Sequence, residues 1–297
     1  MAKDLIAGIE TGGTKILARI CPADDAAAIA EHRWETGTAD EAAAMVGDFL
    51  VDLPAGTRLV AVGMAAFGPL IIDPDSSDYG RMLATPKPGW AGSNLRAALH
   101  ARTGVPVAVD TDVNAAAIAE QQLGAGGGLP SVAYVTVGTG IGAGLAICGQ
   151  SLKGALHPEA GHLRLVRRAD DDAPSVCPFH ADCAEGLVSG RAVRRRLGEG
   201  RDLADDPALM ELVADYLGQL AALLVLCWSP HRIVWGGGGI KSASIIPLIE
   251  KMLRANLAGY GVGAAAERPD FCVRAALDNS GLEGALLIAR QLASKAQ

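Results

Sequence analysis

Asp4-Leu-Ile-Ala-Gly-Ile-Glu10-Thr-Gly-Gly-Thr-Lys15-Ile-Leu-Ala-Arg-Ile20 holds the pattern on which the reading of this chain turns. Residues 4–9 read as a buried strand and residues 15–20 as its partner. Between them, Glu10 to Thr14 is too rich in glycine for anything but a tight reversal. The pattern returns in the second half. Residues 132–137 (Val-Ala-Tyr-Val-Thr-Val) read as a strand, Gly138-Thr-Gly-Ile-Gly142 as a turn, and Ala143 to Cys148 as a strand. A strand, a glycine turn and a strand, each followed by mixed helices and strands, make a faint internal repeat. Two α/β halves of this kind, facing each other, would aim both glycine turns at one central cleft.

Around these anchors, helices are expected at 39–53, 93–103 (capped by Ser93), 115–122, 186–197, 207–228 and 240–257. Strands are expected at 59–64, 105–109, 232–235 and 271–276. Ser280-Gly-Leu-Glu283 reads as a capping box opening the last helix. The stretch from Gly68 to Trp90, punctuated by proline and glycine, is expected to be irregular.

With 297 residues and half of them apolar, the chain can build one or two well-cored domains. The excess of Asp and Glu over Lys and Arg, 33 against 26, argues against nucleic acid or an anionic membrane as partner. The arginines of 191–196 read as a solvated helix face. The longest unbroken apolar run, Leu220 to Trp228, is too short to span a bilayer, and the N-terminus lacks a signal-peptide layout, so a soluble cytoplasmic protein is expected.

Several motifs carry chemistry, each beside a plainer reading. In Glu10-Thr-Gly-Gly-Thr-Lys15, Gly12 and Gly13 let backbone N–H groups approach an anion, Thr14 adds a hydroxyl, and Glu10 could accept from metal-held water; the alternative is an ordinary hairpin. Gly138, Thr139 and Gly140 form the second anion candidate. Gly138-x-Gly140-x-x-Ala143 matches a dinucleotide fingerprint only formally, because a strand follows where a helix is required, and a Walker A sequence is absent. Gly236, Gly237, Gly238 and Gly239 lie between a strand and a helix, where a base or ribose could approach the main chain; close helix–strand packing is the alternative.

Asp110-Thr-Asp112-Val-Asn114 follows a strand and opens a helix. A carboxylate there is either a cap or a base for a hydroxyl nucleophile. His162, Cys177, His180 and Cys183 offer four nitrogen and sulfur donors, the set for a closed tetrahedral zinc site; buried thiols with surface histidines are the alternative. Glu159 and Glu185 flank that loop as surface acids or as acceptors for sugar hydroxyls. Pro86-Lys-Pro-Gly-Trp90 is either an aromatic wall or a rigid connector.

Together with Phe67-Gly-Pro69, Thr85-Pro-Lys-Pro-Gly-Trp90, Glu159-Ala-Gly-His162 and Cys177-Pro-Phe-His180, these motifs resemble, in order from about residue 5 to 290, the ROK family of sugar kinases. Within it they are most similar to the bacterial fructokinases. The resemblance implies an actin-like (ribonuclease H-like) ATPase fold of class α/β in two lobes: 1–112 with about 278–297 as a small lobe, and 113–277 as a large one. It implies ATP-dependent phosphorylation of D-fructose to fructose 6-phosphate, with Mg²⁺ (at Glu10), a structural Zn²⁺, and a homodimer expected from the family alone.

Carried over by position, Asp112 resembles the catalytic base, and Gly12, Gly13 and Thr14 the first phosphate loop. Gly138, Thr139 and Gly140 resemble the second loop, and Gly236 to Ile240 the adenosine loop. Gly68, Thr111, Glu159, His162 and Glu185 resemble sugar-side residues. Two positions depart from the family: Thr111 replaces the asparagine of glucose- and amino-sugar-directed relatives, and Arg191, assigned beside the nucleotide, replaces a proline. The competing readings are a kinase for mannose or glucose, a non-catalytic sugar-binding regulator, and a zinc-binding interaction module.

Overall fold

The computed structural model describes residues 2–198, 200–242 and 244–295. The chain divides into two units of nearly equal length: Met1–Ala119, Ser151–His157 and Leu277–Gln297 form one, and Glu120–Gln150 with Pro158–Ala276 the other. Residues 113–119 and 151–157, expected in the second lobe, thus belong to the first unit. Local contacts explain why. Ser151 and Lys153 bind Asp110, and the Leu70 N–H donates to His157 Nε2 at 3.2 Å.

In the first unit, β1 (Lys3–Thr11), β2 (Lys15–Pro22), β3 (Ala30–Glu35), β4 (Thr57–Ala66) and β5 (Val107–Thr111) form one sheet in the order β3-β2-β1-β4-β5. β1, β4 and β5 run parallel, and β2 and β3 are antiparallel additions. The period-two alternation of β1 divides its side chains between two layers. Leu5, Ala7 and Ile9 join α1 (Ala39–Val51) and α2 (Leu95–Thr103), while Ile6 faces Leu286 and Ala289 of the C-terminal helix Ser280–Lys295. That helix lies so close that a Cβ on Gly63 would sit 2.0 Å from the carbonyl oxygen of Ala285.

α2 is capped by Asn94, whose side chain accepts from Ala97 N; Ser93, the cap expected from the sequence, instead donates to Trp90 O. The expected 280–283 capping box is replaced as well. Ser280 Oγ donates to Leu277 O, and Glu283 pairs with Arg19 on β2.

α3 (Asp112–Gln122) follows β5 directly, and the division between units falls within it. In the second sheet, β6 (Ser131–Val137), β7 (Ile141–Ile147), β8 (Gln150–Ser151), β9 (Arg232–Gly236) and β10 (Cys272–Arg274) order as β10-β9-β6-β7-β8. β6 repeats the role of β1, with an antiparallel partner on one side and two parallel strands on the other.

α4 (Ala184–Val188) and α5 (Gly190–Leu197) are separate helices, divided at Ser189. α6 (Pro207–Trp228) packs against α7 (Ile245–Leu257), with Gly218 admitting the Met252 backbone, and α8 is the C-terminal helix already described. By length and composition α6 could cross a membrane, but Val213, Tyr216, Leu217 and Leu220 are buried in the second unit, so it packs as a core helix.

Candidate active site

In the first unit, strand register sets the site. Thr11 pairs with Ala66, and Ala66 with Thr111, so the C-terminal ends of β1, β4 and β5 lie in a row. Each end runs straight into a candidate segment: Gly12-Gly13-Thr14, Phe67-Gly68, and Asp112. Carboxyl ends of parallel strands are where α/β sheets collect ligand-binding loops, because the chain must leave the sheet there.

The first glycine turn is a hairpin closed by Gly12 N to Lys15 O at 2.8 Å. Its carbonyls are all engaged. Gly12 O accepts from Thr36 Oγ1 at 2.8 Å, Gly13 O from Lys87 Nζ at 2.8 Å, and Thr14 O from Thr36 N at 3.1 Å. Among the described residues, the N–H groups of Gly13 and Thr14 have no protein acceptor, and both residues are exposed. A Cβ on Gly13 would meet nothing within 4 Å, so the fold does not demand glycine there. Donors without acceptors beside open space are the chemistry of an anion nest.

Glu10 lies beneath this turn, against the start of α8. Burial pushes its carboxyl above the usual range, opposed by Lys15 and by the Leu282 N–H. Its Oε2 is buried without a hydrogen-bond partner. A buried acceptor atom of this kind fits a hydrated cation brought by a phosphate ligand.

Of the two aspartates at the end of β5, Asp110 is fully committed. It accepts from Thr111 N at 2.8 Å, Asn114 Nδ2 at 2.8 Å and Ser151 Oγ at 2.6 Å, and pairs with Lys153 at 3.0 Å. Asp112, half-buried in the first turn of α3, accepts from Val113 N at 2.9 Å. Thr111 is buried, and its hydroxyl accepts from Asn114 N at 3.2 Å, which makes it the helix cap. Gly68 is half-buried and joined to Pro69 by a cis peptide bond. Trp90 is buried and donates to Gly37 O at 2.8 Å, so the 85–90 string is a connector, not an aromatic wall.

In the second unit, Thr136 pairs with Gly236, so the 138–140 turn and the 236–240 loop leave neighbouring strands side by side. Gly138 O accepts from Gly190 N, the first residue of α5, at 2.7 Å. A Cβ on Gly138 would be free of contacts; one on Gly140 would strike Glu185, and one on Gly237 (φ +91°) or Gly239 would strike Val137. Gly237 and Gly239 are therefore required by backbone packing, whereas Gly140 meets only the movable end of the Glu185 side chain and Gly138 meets nothing; Gly238 is also open, its nearest neighbour 3.8 Å away. Thr139 is exposed, and Ile240 is buried.

Glu185 accepts from Ile141 N at 3.1 Å, and Gly161 abuts Ile141 O, bringing Glu159 and His162 to the same strand start. Glu159 is exposed. Arg191 donates to Val176 O at 3.1 Å in the cysteine-bearing loop.

His162, Cys177, His180 and Cys183 converge, their donor atoms all within 4.8 Å of one another. Cys177 Sγ lies 3.8 Å from His162 Nδ1 and 3.7 Å from His180 Nδ1, and Cys183 Sγ lies 3.7 Å from His162 Nδ1. Tetrahedral zinc, with ligands at about 2.0–2.3 Å, separates its donors by roughly 3.3–3.8 Å, so these sulfur–nitrogen spacings fit a zinc ion. Burial pushes the Cys183 thiol up to about 11; a bound cation would reverse that by taking the thiolate.

Two sheets of duplicated topology, each carrying a glycine hairpin at its central strand, define an α/β protein of the actin-like, ribonuclease H-type ATPase class. The chain belongs to the ROK family, whose model matches residues 6–292. It is 34% identical to a fructokinase of Pediococcus pentosaceus over 96% of this chain and 98% of that protein. It is 35% identical to a fructokinase of Zymomonas mobilis over 97% of each. A ROK family glucokinase of Streptomyces griseus, solved in complex with glucose and AMPPNP, superposes with a TM-score of 0.75 at 26% identity, covering 97% of this chain and 99% of that one.

Proposed function

We propose that this chain is a fructokinase, transferring the γ-phosphoryl group of ATP to the 6-hydroxyl of D-fructose to give fructose 6-phosphate and ADP. The observation that carries the reading is the row of strand ends Thr11, Ala66 and Thr111, which sets an anion-binding turn and the carboxylate of Asp112 at the same edge of one sheet. The near-full-length likeness to fructokinases supports fructose as the acceptor.

In this reading the fructose oxygen attacks the γ-phosphorus, the bond to the β-bridging oxygen breaks, and the hydroxyl proton passes to the Asp112 carboxylate. Asp110 and Thr111 hold the start of α3 and so aim Asp112. The N–H groups of Gly13 and Thr14 take phosphate oxygens, as do Gly138 and Thr139 in the second unit. Gly236 to Ile240 and Arg191 are assigned to the adenosine end. Gly68, Glu159, His162 and Glu185 are assigned to the sugar, with Thr111 acting through the helix cap.

Mg²⁺, arriving with ATP and held through Glu10, would neutralise phosphate charge. Zn²⁺ on His162, Cys177, His180 and Cys183 would fix the loop that presents Glu159 and Glu185. Dependence on ATP fits a cytoplasmic enzyme. Coupled ADP release across fructose, mannose, glucose and N-acetylated hexosamines tests the assignment. Fructose is expected to give the highest kcat/KM. Preference for another hexose would reassign the substrate, and turnover on none would favour a sugar-binding regulator.

A further inference from the structure

We propose that Lys87 is a positioning residue for the first phosphate turn, a strut that keeps the N–H group of Thr14 pointing outward; the proposal rests on the ATP-binding reading above. The Lys87 ammonium donates to Gly13 O at 2.8 Å and to Thr36 O at 2.9 Å. A lysine has three N–H donors and no acceptor, so two of the three are spent on these carbonyls. Among the described residues, the other two carbonyls of the turn, on Gly12 and Thr14, are held by Thr36. Gly13 O is therefore the one carbonyl of the turn whose orientation depends on Lys87. Fixing a carbonyl fixes the peptide plane it belongs to, and with it the N–H of the next residue, Thr14.

The lysine is itself held by a stiff arm. Pro86 and Pro88 flank it, and Trp90 anchors the far end, buried against Phe67 at 4.8 Å with its indole N–H on Gly37 O at 2.8 Å. Gly89 adopts φ +76° where a Cβ would come within 2.9 Å of the Thr38 methyl, so the arm lies flat on the segment that follows β3. This is the structural use of the Thr85-Pro-Lys-Pro-Gly-Trp90 string, a motif that the catalytic assignment leaves unexplained. The hairpin does not need the lysine to form, because β1 and β2 pair along their whole length. What the lysine adds is a fixed peptide plane and a positive charge beside the turn, both of which favour an anion over open water.

The test compares wild type with K87M, which keeps the apolar stem, and K87R, which keeps the charge. KM for ATP and for fructose are measured, and calorimetry gives the affinities for AMPPNP and for AMP, which lacks the β and γ phosphates. K87M is expected to raise the ATP KM and weaken AMPPNP about tenfold, with AMP affinity and fructose KM within about twofold of wild type. K87R should recover part of the loss. AMPPNP affinity in K87M within about twofold of wild type, or equal losses for AMP and AMPPNP, would overturn the proposal. K87Q, which removes the ammonium but keeps a polar end, gives an independent reading should K87M melt early: weaker AMPPNP with unchanged AMP supports the strut, and unchanged AMPPNP contradicts it. A wild type that binds AMPPNP but phosphorylates no hexose would sink the kinase reading while leaving the binding comparison to decide the role of Lys87.

Discussion

A methyl group added at Gly13 would meet open space, whereas one added at Gly63 would press on the backbone of α8. Gly63→Ala should therefore destabilise the fold by about 1–3 kcal/mol or more, because helix and sheet must separate to admit the methyl. Gly13→Ala should leave the melting temperature near that of wild type and raise the ATP KM. Thermal melts beside steady-state kinetics read the contrast, and a Gly13→Ala variant that melts early with an unchanged ATP KM would assign that glycine to packing. The sequence marks Gly12 and Gly13 by their pattern, but does not separate open glycines from packed ones at 236–239. That distinction depends on the Val137 backbone, about a hundred residues away. Nor could spacing tell Asp110 from Asp112. The partners that commit Asp110, Ser151 and Lys153, lie about forty residues away, and Lys87 looked like part of a connector for the same reason.

At the scale of elements, the cysteine-bearing loop was the most legible feature, because three of its four donors fall within seven residues and only His162 arrives from outside. Metal analysis should find about one zinc per chain in wild type and little in Cys177→Ser, with a raised fructose KM in the variant. Wild type without zinc would end that assignment. The misread elements failed for local reasons. The helix caps at 93 and 280 were placed on serines, but Ser93 and Ser280 bond backwards to Trp90 O and Leu277 O. Strand β3 (Ala-Glu-His-Arg-Trp-Glu) went unread because its edge position leaves most of its side chains exposed, which erases the apolar alternation.

For the molecule as a whole, the duplicated sheet topology was foreshadowed by the two strand–turn–strand passages, since both hairpins are local in sequence. The division of the chain is harder to read, because Ser151–His157 joins the first unit through contacts to Asp110 and Leu70, distant in sequence.

Acid stability should centre on Asp171 in the second unit. Burial alone pushes its carboxyl up, but hydrogen bonds from Arg196 and Tyr216 and the charge of Arg196 outweigh this and lower it from 3.8 to about 2. A depressed native pKa means that the unfolded chain binds the proton more readily. The stabilisation is thus full above the ordinary carboxylate range and is lost as pH falls from about 4 towards 2. Asp171→Asn should lose about 2 kcal/mol or more at neutral pH and flatten that acid limb in denaturation curves taken from pH 2 to 6. An unchanged acid limb would remove Asp171 as its source.

The proposed transfer depends on the carboxylate of Asp112 at the end of β5. The most direct measurement is the rate of Mg-ATP-dependent fructose phosphorylation by wild type and by Asp112→Asn, with AMPPNP affinity taken in parallel. Asp112→Asn is expected to lower kcat by about 10²-fold or more with nucleotide affinity retained; turnover by the variant close to that of wild type would remove Asp112 from the reaction.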